Sequence, residues 1–254
     1  MATVGAIQQE AQVGPSYMRV IVTGASRGIG LAIVRRLAER GDQVIAVSRT
    51  SVPAGVSDGV REYACDLAAV PDYDALMEDL WAGGPVDALV NNVGISPVYT
   101  SAEKVEREDW ERILGVNLSA PFFLSQAFAR RVIAAGREAS VVMMSSIGAR
   151  VGLQRLAAYT ASKAGLSGLT RALALDWARL GIRVNAVEPG YVETDMTAGL
   201  SGNEGLHQGI VGRIPMQRFA DPREVADAVA YLLSPAASYM TGAAIPVDGG
   251  YLAE

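Results

Sequence analysis

The sequence is poor in residues on which several classes of enzyme depend. Among its 254 residues, Cys65 is the only cysteine and His207 the only histidine. The chain therefore cannot form an intramolecular disulfide, and no metal site is expected. A serine hydrolase would have to use His207 as its base, yet this residue lies in a glycine-rich stretch that resembles a mobile loop. The scarcity of cysteine fits a reducing compartment, and we expect a cytoplasmic protein.

Long apolar runs and basic clusters are also absent. No apolar run reaches the length of a membrane span, so we expect no membrane partner. A net charge of −5 at pH 7 without a basic cluster argues against nucleic acid as a partner. Half of the residues are hydrophobic, which provides for a large core. Residues 1–17 lack the basic start and apolar segment of a secretory signal, and we predict a flexible tail there.

Short apolar strands alternate with helical patterns along residues 18–254. Strands are predicted over residues 18–23, 43–47, 60–64, 86–90, 140–144, 182–187 and 243–247, and helices over residues 31–40, 71–81, 109–135, 156–181 and 222–234. This alternation, without repeats or linkers, predicts one α/β domain, a Rossmann fold with a doubly wound parallel sheet and helices on both faces. Glycines and weak periodicity predict a flexible substrate lid around residues 195–215.

The first predicted strand leads into a glycine-rich turn that opens the first helix. Glycines at this point let backbone amides approach a pyrophosphate, and the helix N-terminus adds its partial positive charge. The spacing is Gly-x-x-x-Gly-x-Gly, and an ordinary strand–helix turn is the alternative. The predicted dinucleotide contacts in this turn are Gly24, Ser26, Arg27, Gly28, Ile29 and Gly30.

The tip of the second predicted strand, Ser48-Arg49-Thr50, carries no carboxylate. In NAD-binding sites an acidic residue at this point holds the ribose hydroxyls, whereas an arginine accommodates the 2′-phosphate of NADP. Arg27, inside the glycine turn, points to the same region. Two guanidinium groups without a carboxylate favour NADP(H) over NAD(H). The alternative is that one or both arginines are only solvated.

Polar residues also follow the third and fourth predicted strands. Asp66 and Leu67 come just after the third strand, where a carboxylate at the ligand edge can accept from the adenine amine. Asn92, Val93 and Gly94 follow the fourth strand, where an amide can satisfy backbone groups beside a ligand. For Asn92, a loop stabilised by its own side chains is the alternative.

The fifth predicted strand delivers Ser146 at its end, and Tyr159 and Lys163 follow on a helix. A spacing of four places the last two side chains on one face of that helix. An ammonium close to a phenol favours the phenolate, so the tyrosine could exchange a proton with a substrate oxygen near neutral pH. Ser146 could donate a hydrogen bond to the same oxygen. The alternative is a helix with one aromatic residue and one solvated lysine.

These motifs, in this order and at these spacings, resemble the short-chain dehydrogenase/reductase family over residues 18–254. The set is Thr23-Gly-x-x-x-Gly-x-Gly30, Asn91-Asn-x-Gly94, Asn117, Ser146, Tyr159-x-x-x-Lys163 and Pro189-Gly190. The resemblance implies a seven-stranded sheet. It also implies a homotetramer that is paired through two long helices and the C-terminal strand.

The resemblance further implies a role for each residue of the centre. Tyr159 is the general acid in reduction and the general base in oxidation, and Lys163 lowers its pKa and holds the nicotinamide ribose. Ser146 polarises the substrate carbonyl. Asn117, which by itself would be expected to bond helix backbone, positions a water that relays protons to Lys163. Cofactor contacts beyond the sixth strand are implied for Pro189, Gly190, Val192 and Thr194.

Two residues depart from the pattern of the family. Val93 replaces the alanine that is usual in Asn-Asn-Ala-Gly, and we expect it to crowd the adenosine side slightly. Glu188 stands where the family usually has a small or neutral residue, and its carboxylate is expected near the active edge.

The substrate is indicated by resemblance to groups within the family. Residues 190–197, 218–225 and 238–250 most resemble 3-oxoacyl-[acyl-carrier-protein] reductases, which implies NADPH-dependent reduction of a carrier-protein or CoA 3-oxoacyl thioester, or a similar β-keto compound. A sugar or polyol dehydrogenase similar to gluconate 5-dehydrogenase is the alternative. A nucleotide-binding regulator without turnover is a more remote one. Arg150 and Arg155 flank the predicted pocket mouth, where they could meet a phosphate or a carboxylate, although we expect Arg150 to be solvated.

Overall fold

The computed structural model describes residues 17–53, 55–56, 59–96, 98–201 and 204–253. Of the predicted N-terminal tail, residues 1–16 lie outside this range, and Tyr17 is exposed.

Seven parallel strands form a single sheet, which confirms the predicted fold. They are β1 (Arg19–Thr23), β2 (Gln43–Ser48), β3 (Val60–Ala64), β4 (Ala88–Asn91), β5 (Ala139–Met144), β6 (Ile182–Pro189) and β7 (Ala244–Val247). Their order across the sheet is β3-β2-β1-β4-β5-β6-β7, with every neighbouring pair parallel. The winding reverses between β1 and β4, so the crevice at their carboxyl ends is where such a sheet binds its ligand.

The central strands are buried on both faces of the sheet. All residues of β4 and β5 are buried. In β1, Ile21 belongs to one hydrophobic cluster, whereas Val20 and Val22 belong to another on the opposite face, as a period of two requires. Burial on both sides explains why these strands are nearly continuous apolar runs in the sequence.

Helices cover both faces. They are α1 (Gly28–Glu39), α2 (Tyr73–Trp81), α3 (Arg107–Leu114), α4 (Ala120–Ala134), α5 (Ala157–Trp177), α6 (Ala198–Ser201), α7 (Glu204–Val211) and α8 (Pro222–Leu233). α1 and α8 pack on the face that carries Val20 and Val22, and α2, α4 and α5 pack on the face that carries Ile21. In the described part of the chain, no helix has both the length and the apolarity required to cross a membrane.

The helix predicted over residues 109–135 is interrupted. α3 ends at Leu114, a π-helical turn occupies Gly115–Ser119, and α4 continues from Ala120. Such turns occur frequently at functional sites. Asn117 lies inside this one and is fully buried. Trp110 in α3 is 40% exposed.

The segment predicted as a flexible lid contains the two helices α6 and α7. Residues 202 and 203 between them lie outside the described residues. Ile210 and Val211 of α7 pack against a cluster that includes Phe219 and Tyr251. Tertiary packing therefore orders a helix whose period is obscured by glycine in the sequence.

Candidate active site

The glycine turn after β1 closes very tightly. Gly24 and Gly28 have φ values of +63° and +53°, in the left-handed region that favours glycine. A Cβ on Gly30 would lie 2.0 Å from the main-chain oxygen of Gly24 and 2.5 Å from Nδ2 of Asn92. No side chain fits at residue 30 without opening the turn.

The N-terminus of α1 keeps its backbone donors free of side-chain caps. Arg27, at the N-cap, makes no side-chain capping bond, and the first turn of the helix contains no acidic residue. Uncapped amides at a helix N-terminus, together with the partial positive charge of the helix, bind anions. The turn and the helix therefore fit a pyrophosphate, as the spacing of the glycines predicts. Ile29 packs partly buried against the adjacent core.

The loop after β4 is fastened to the glycine turn by two side chains. Nδ2 of Asn92 donates to the main-chain oxygens of Thr23 (2.9 Å) and Gly24 (3.2 Å). The Thr23 hydroxyl accepts from the N–H groups of Asn92 and Val93, both at 3.0 Å. Asn92 thus stabilises the loop, which was the alternative interpretation. The Val93 side chain packs against the hydrophobic core, which accommodates its extra methyl groups.

The tip of β2 lies beside the glycine turn. The Thr50 hydroxyl donates to the Ser26 hydroxyl at 3.0 Å. Arg49 is exposed next to it. The guanidinium of Arg27 lies 3.9 Å from the carboxylate of Asp195, and both side chains are exposed, so this ion pair contributes little. Both arginines remain accessible to an anion at this edge.

The remaining predicted adenosine contacts lie at the ends of β2 and β3. The Ser48 hydroxyl donates to the main-chain oxygen of Thr50 at 2.6 Å. Asp66 is exposed and accepts from the N–H of Ala68 at 3.1 Å. Leu67 is buried in the core, so only its main chain can face a nucleotide.

Tyr159 and Ser146 meet at the carboxyl end of β5. The Ser146 hydroxyl accepts from the N–H of Gly148 at 3.1 Å and is hydrogen-bonded to the phenol of Tyr159. Burial raises the pKa of Tyr159, and the hydrogen bond from Ser146 opposes this increase. The resemblance implied a pKa lowered by Lys163, so the direction differs from the expectation. The raised pKa favours the neutral phenol over the phenolate.

Lys163 is buried and lies on the same side of α5 as Tyr159, as the spacing predicts. Its Nζ is 5.8 Å from the centroid of the tyrosine ring. The amine donates to the main-chain oxygen of Met144 at 2.7 Å rather than to the phenol. Burial lowers the pKa of Lys163 to about 8, because desolvation disfavours the ammonium. An ammonium has three donors, so this bond leaves two for other partners.

Asn117 links the π-helical turn to the loop after β4. Its Oδ1 accepts from the N–H of Ile95 (2.8 Å), and its Nδ2 donates to the main-chain oxygen of Ile95 (2.9 Å) and to the Ser162 hydroxyl (3.1 Å). These partners are not helix backbone around Asn117, so the expectation from the sequence alone was wrong. A Cβ on Gly94 would lie 3.3 Å from Nζ of Lys163 and 3.7 Å from Oδ1 of Asn117. The three residues therefore form one cluster.

The chain beyond β6 returns to the glycine turn. Pro189 ends β6, and Gly190 approaches the segment after β7 so closely that a Cβ would lie 2.8 Å from a main-chain atom there. Val192 is buried in the core, so its side chain faces away from solvent. Thr194 lies beside the turn, since a Cβ on Gly28 would be 3.4 Å from its methyl group.

A chain of buried polar groups lies behind the serine and the lysine, and sequence analysis missed it. Glu188 is 1% exposed, pairs with Arg150, and accepts from the Ser167 hydroxyl at 2.8 Å. The Ser167 hydroxyl is 2.8 Å from that of Ser145, which donates to the main-chain oxygen of Lys163 at 2.9 Å. Arg150 is therefore paired, and the expectation of a solvated side chain was wrong. The sequence did hold a signal for this chain: Ser145 and Glu188 are polar residues at the ends of two largely apolar strands, β5 and β6.

Aromatic residues and two arginines gather beyond the carboxyl ends of the strands. The guanidinium of Arg155 lies 5.5 Å from the centroid of the Tyr99 ring, and that of Arg213 lies 4.9 Å from the centroid of the Tyr251 ring. Tyr191 packs edge-on against Tyr251 at 5.7 Å. Arg155 has a φ of +64°, which is rare for a residue other than glycine. Among the described residues, neither arginine has a carboxylate within 4 Å.

The fold and this site together define a single-domain Rossmann-fold oxidoreductase. A family model described as enoyl-(acyl carrier protein) reductase matches residues 24–252. The chain is 40% identical over 242 residues to galactitol 2-dehydrogenase from Rhizobium johnstonii, a match that covers 92% of this chain and 94% of the relative. It is 38% identical over 235 residues to the 3-oxoacyl-[acyl-carrier-protein] reductase MabA from Mycobacterium tuberculosis, covering 91% of each chain.

A solved structure has the same fold. It is that of a protein assigned as a 2-deoxy-D-gluconate 3-dehydrogenase from Agrobacterium tumefaciens, with bound NADP; the TM-score is 0.87 at 37% identity, over 93% of this chain and 97% of the other. The chain belongs to the short-chain dehydrogenase/reductase family. It is an oxidoreductase that acts on a ketone or an alcohol, as the resemblance implied.

Proposed function

We propose that the protein is an NADP(H)-dependent enzyme that interconverts a ketone and a secondary alcohol, with Tyr159 as its proton donor and acceptor. The observation that carries this proposal is the convergence of three groups at the carboxyl end of β5. Ser146 is hydrogen-bonded to the Tyr159 phenol, and Lys163 lies beneath its ring with Nζ 5.8 Å from the centroid. This cluster lies beside the glycine turn that fits a pyrophosphate.

Each group has a separate task in the proposed reduction. Tyr159, whose pKa is raised by burial, holds a proton that it can give to the substrate oxygen. Ser146 donates to the same oxygen and stabilises the charge that develops on it. Lys163, with a pKa of about 8, carries a charge near neutral pH that favours the phenolate once the proton has left.

Asn117 supports Lys163 from the π-helical turn. All hydrogen-bonding groups of its side chain except one lone pair are used by Ile95 and Ser162. We therefore assign the holding of a relay water to the main chain of this turn rather than to the amide side chain. The side chain fixes the loop that contains Gly94, and with it the space beside the lysine.

NADP(H) is the proposed cofactor, and it supplies or accepts the hydride. The turn and the α1 N-terminus would hold its pyrophosphate. Arg27 and Arg49 would meet its 2′-phosphate, since the tip of β2 has no carboxylate that would repel it. The NADP bound to the Agrobacterium tumefaciens relative supports the assignment. Thr194 and the main chain at Val192 would lie at the nicotinamide.

Replacing Arg49 with aspartate is expected to raise the KM for NADPH by about 10- to 100-fold and to change that for NADH by less than about threefold. The reason is that a charge-assisted hydrogen bond to a phosphate contributes about 1.5–3 kcal/mol, and each 1.4 kcal/mol is a factor of ten. Steady-state kinetics with both cofactors measure the effect. The matched control is Arg179→Asp, which makes the same charge change on an exposed residue just before the amino end of β6, away from the carboxyl ends of the strands. Equal effects on both cofactors would exclude the phosphate contact.

Two classes of substrate have support. The 38% identity to MabA favours a 3-oxoacyl thioester. The 40% identity to a galactitol 2-dehydrogenase favours a sugar or polyol. Two exposed arginines lie over tyrosine rings without carboxylate partners among the described residues, and they favour a substrate with an anionic group. In the first class this would be the phosphate of the carrier, and in the second the carboxylate of a sugar acid, which a polyol lacks.

A panel that pairs each charged substrate with an uncharged counterpart tests whether the enzyme recognises an anionic group. NADPH oxidation would be followed with an acetoacetyl thioester of CoA and with its uncharged N-acetylcysteamine analogue, and NADP⁺ reduction with gluconate and with galactitol. For whichever charged substrate is active, Arg155→Ala is expected to raise KM by about tenfold and to leave the neutral analogue within about twofold. A cofactor that binds while every member of the panel stays inactive would favour a regulator without turnover.

We also retain the homotetramer that the resemblance implied. Large apolar side chains are exposed on the helices that would pair and next to β7: Trp110, Phe123, Leu175 and Tyr239. Sedimentation measures the state directly, and a monomer at micromolar concentration would contradict it.

A further inference from the structure

The geometry points to Glu188 as a positioning residue for the catalytic centre, acting through the two buried hydroxyls of Ser167 and Ser145. The inference rests on the proposed function, because it assigns a task toward Ser146, Tyr159 and Lys163. Nothing in the composition of the strand requires a carboxylate at this point, since the rest of β6 from residue 184 to residue 187 is buried and almost entirely apolar.

Ser145 is the residue through which Glu188 reaches the centre. It lies between Met144, whose main-chain oxygen holds Nζ of Lys163, and Ser146, which is bonded to the phenol. The N–H of Ser145 donates to the main-chain oxygen of Val187 at 2.8 Å. Its hydroxyl donates to the main-chain oxygen of Lys163 at 2.9 Å. Ser145 therefore joins the end of β5 to both β6 and α5.

Glu188 and Arg150 anchor the other end of this chain. A buried carboxylate is costly unless it is paired and hydrogen-bonded, and Glu188 has both an arginine and a hydroxyl as partners. The guanidinium of Arg150 also donates to the main-chain oxygen of Ala244 in β7, at 2.7 Å. The loop after Ser146 is thereby tied to β6 and β7, and its position is set by the carboxylate.

Counting protons shows that an amide at residue 188 can take the place of the carboxylate in this chain. Three short contacts connect Glu188, Ser167, Ser145 and the Lys163 carbonyl, but the two hydroxyls supply only two protons when Glu188 is ionised. Glutamine at residue 188 would add an N–H donor toward Ser167 and keep an oxygen for Arg150. Glu188→Gln should therefore preserve the chain of hydrogen bonds, whereas Glu188→Ala removes its anchor.

The test compares Glu188→Ala, Glu188→Gln and a control in the same assay. Asp42 provides the control, because it is also a buried carboxylate paired with a partly exposed arginine, Arg40, but at the amino end of β2. Glu188→Ala is expected to lower kcat by about 10- to 100-fold, with the Kd for NADPH within about twofold, and to shift the pH profile of kcat. Glu188→Gln should retain kcat within about threefold, and Asp42→Ala should lower Tm without changing kcat or the profile.

Equal kcat and pH profiles in Glu188→Ala and Asp42→Ala would overturn the inference, because both pairs would then be purely structural. A wild-type protein without turnover would instead contradict the proposed function. If Glu188→Ala does not fold, Ser167→Ala tests the inference in its place. This variant interrupts the row of hydrogen bonds between Glu188 and Ser145 and leaves the ion pair with Arg150 intact. It should lower kcat by at least about threefold with Tm nearly unchanged, and an unchanged kcat would overturn the inference.

Discussion

Phenylalanine at residue 159 is expected to lower kcat by about 1,000-fold while the Kd for NADPH changes by less than about twofold. A positioned general acid contributes about 10²- to 10⁴-fold, and phenylalanine keeps the ring but has no proton to give. Ser146 would lose its partner at the phenol, whereas the bond from Lys163 to the Met144 main chain does not involve the hydroxyl. Stopped-flow or steady-state reduction of the active substrate measures kcat, and fluorescence titration measures the Kd.

The matched control is Tyr63→Phe. Its hydroxyl donates to Asp79 at 3.0 Å on the surface of β3 and α2, away from the carboxyl edge of β5. This variant should keep kcat within about twofold, since an exposed hydrogen bond contributes little to the site. If Tyr159→Phe kept more than about a tenth of the wild-type turnover, another group would have to be the acid.

Alanine at residue 30 is expected to abolish NADPH binding, with a Kd increased by more than about 100-fold, and to destabilise the protein by about 1–3 kcal/mol or more. The added Cβ would lie 2.0 Å from the Gly24 carbonyl oxygen, and no flexible side chain can relieve this contact with the main chain. The turn must open, and the amides that would face the pyrophosphate move with it. Titration with NADPH and thermal unfolding measure the two effects.

Gly168→Ala is the comparison for this prediction. Residue 168 lies within α5, and the nearest atom to an added Cβ is the end of the Arg171 side chain at 3.9 Å. Alanine is favoured over glycine in a helix by about 1 kcal/mol, so this variant should be as stable as the wild type or more so. Retained NADPH affinity in Gly30→Ala would mean that the pyrophosphate does not lie on this turn.

The sheet could be predicted because its strands are short, apolar and separated by strong helical patterns. β3 matches its predicted range, and most other strands differ by one or two residues at an end. The π-helical turn could not be predicted, because Gly115–Ser119 has no composition that distinguishes it from a regular helix. α7 was missed because glycines interrupt its period, and its order comes from packing against a cluster that includes Tyr251, which is distant in the sequence.

In the candidate site, features that depend on local sequence were predicted, and features that depend on the folded chain were not. Tyr159 and Lys163 share a face because four residues make about one helical turn, which is a local property. The direction in which the Tyr159 pKa shifts could not be predicted from neighbouring residues, because it depends on burial by the surrounding chain. The pairing of Arg150 with Glu188 joins residues 38 positions apart, and only the folded arrangement of β6 and the loop after β5 brings them together.

The acceptor for Lys163 is a main-chain oxygen, and this has a consequence for how the protein tolerates change. The carbonyl of Met144 belongs to a central strand whose position is set by its hydrogen-bonded neighbours, β4 and β6. Replacing the thioether side chain with another apolar group of similar volume would leave that oxygen in place. Lys163 is thus held by a main-chain acceptor that a side-chain substitution does not remove. Residue 144 can therefore vary among apolar residues without loss of the hydrogen bond to the lysine amine.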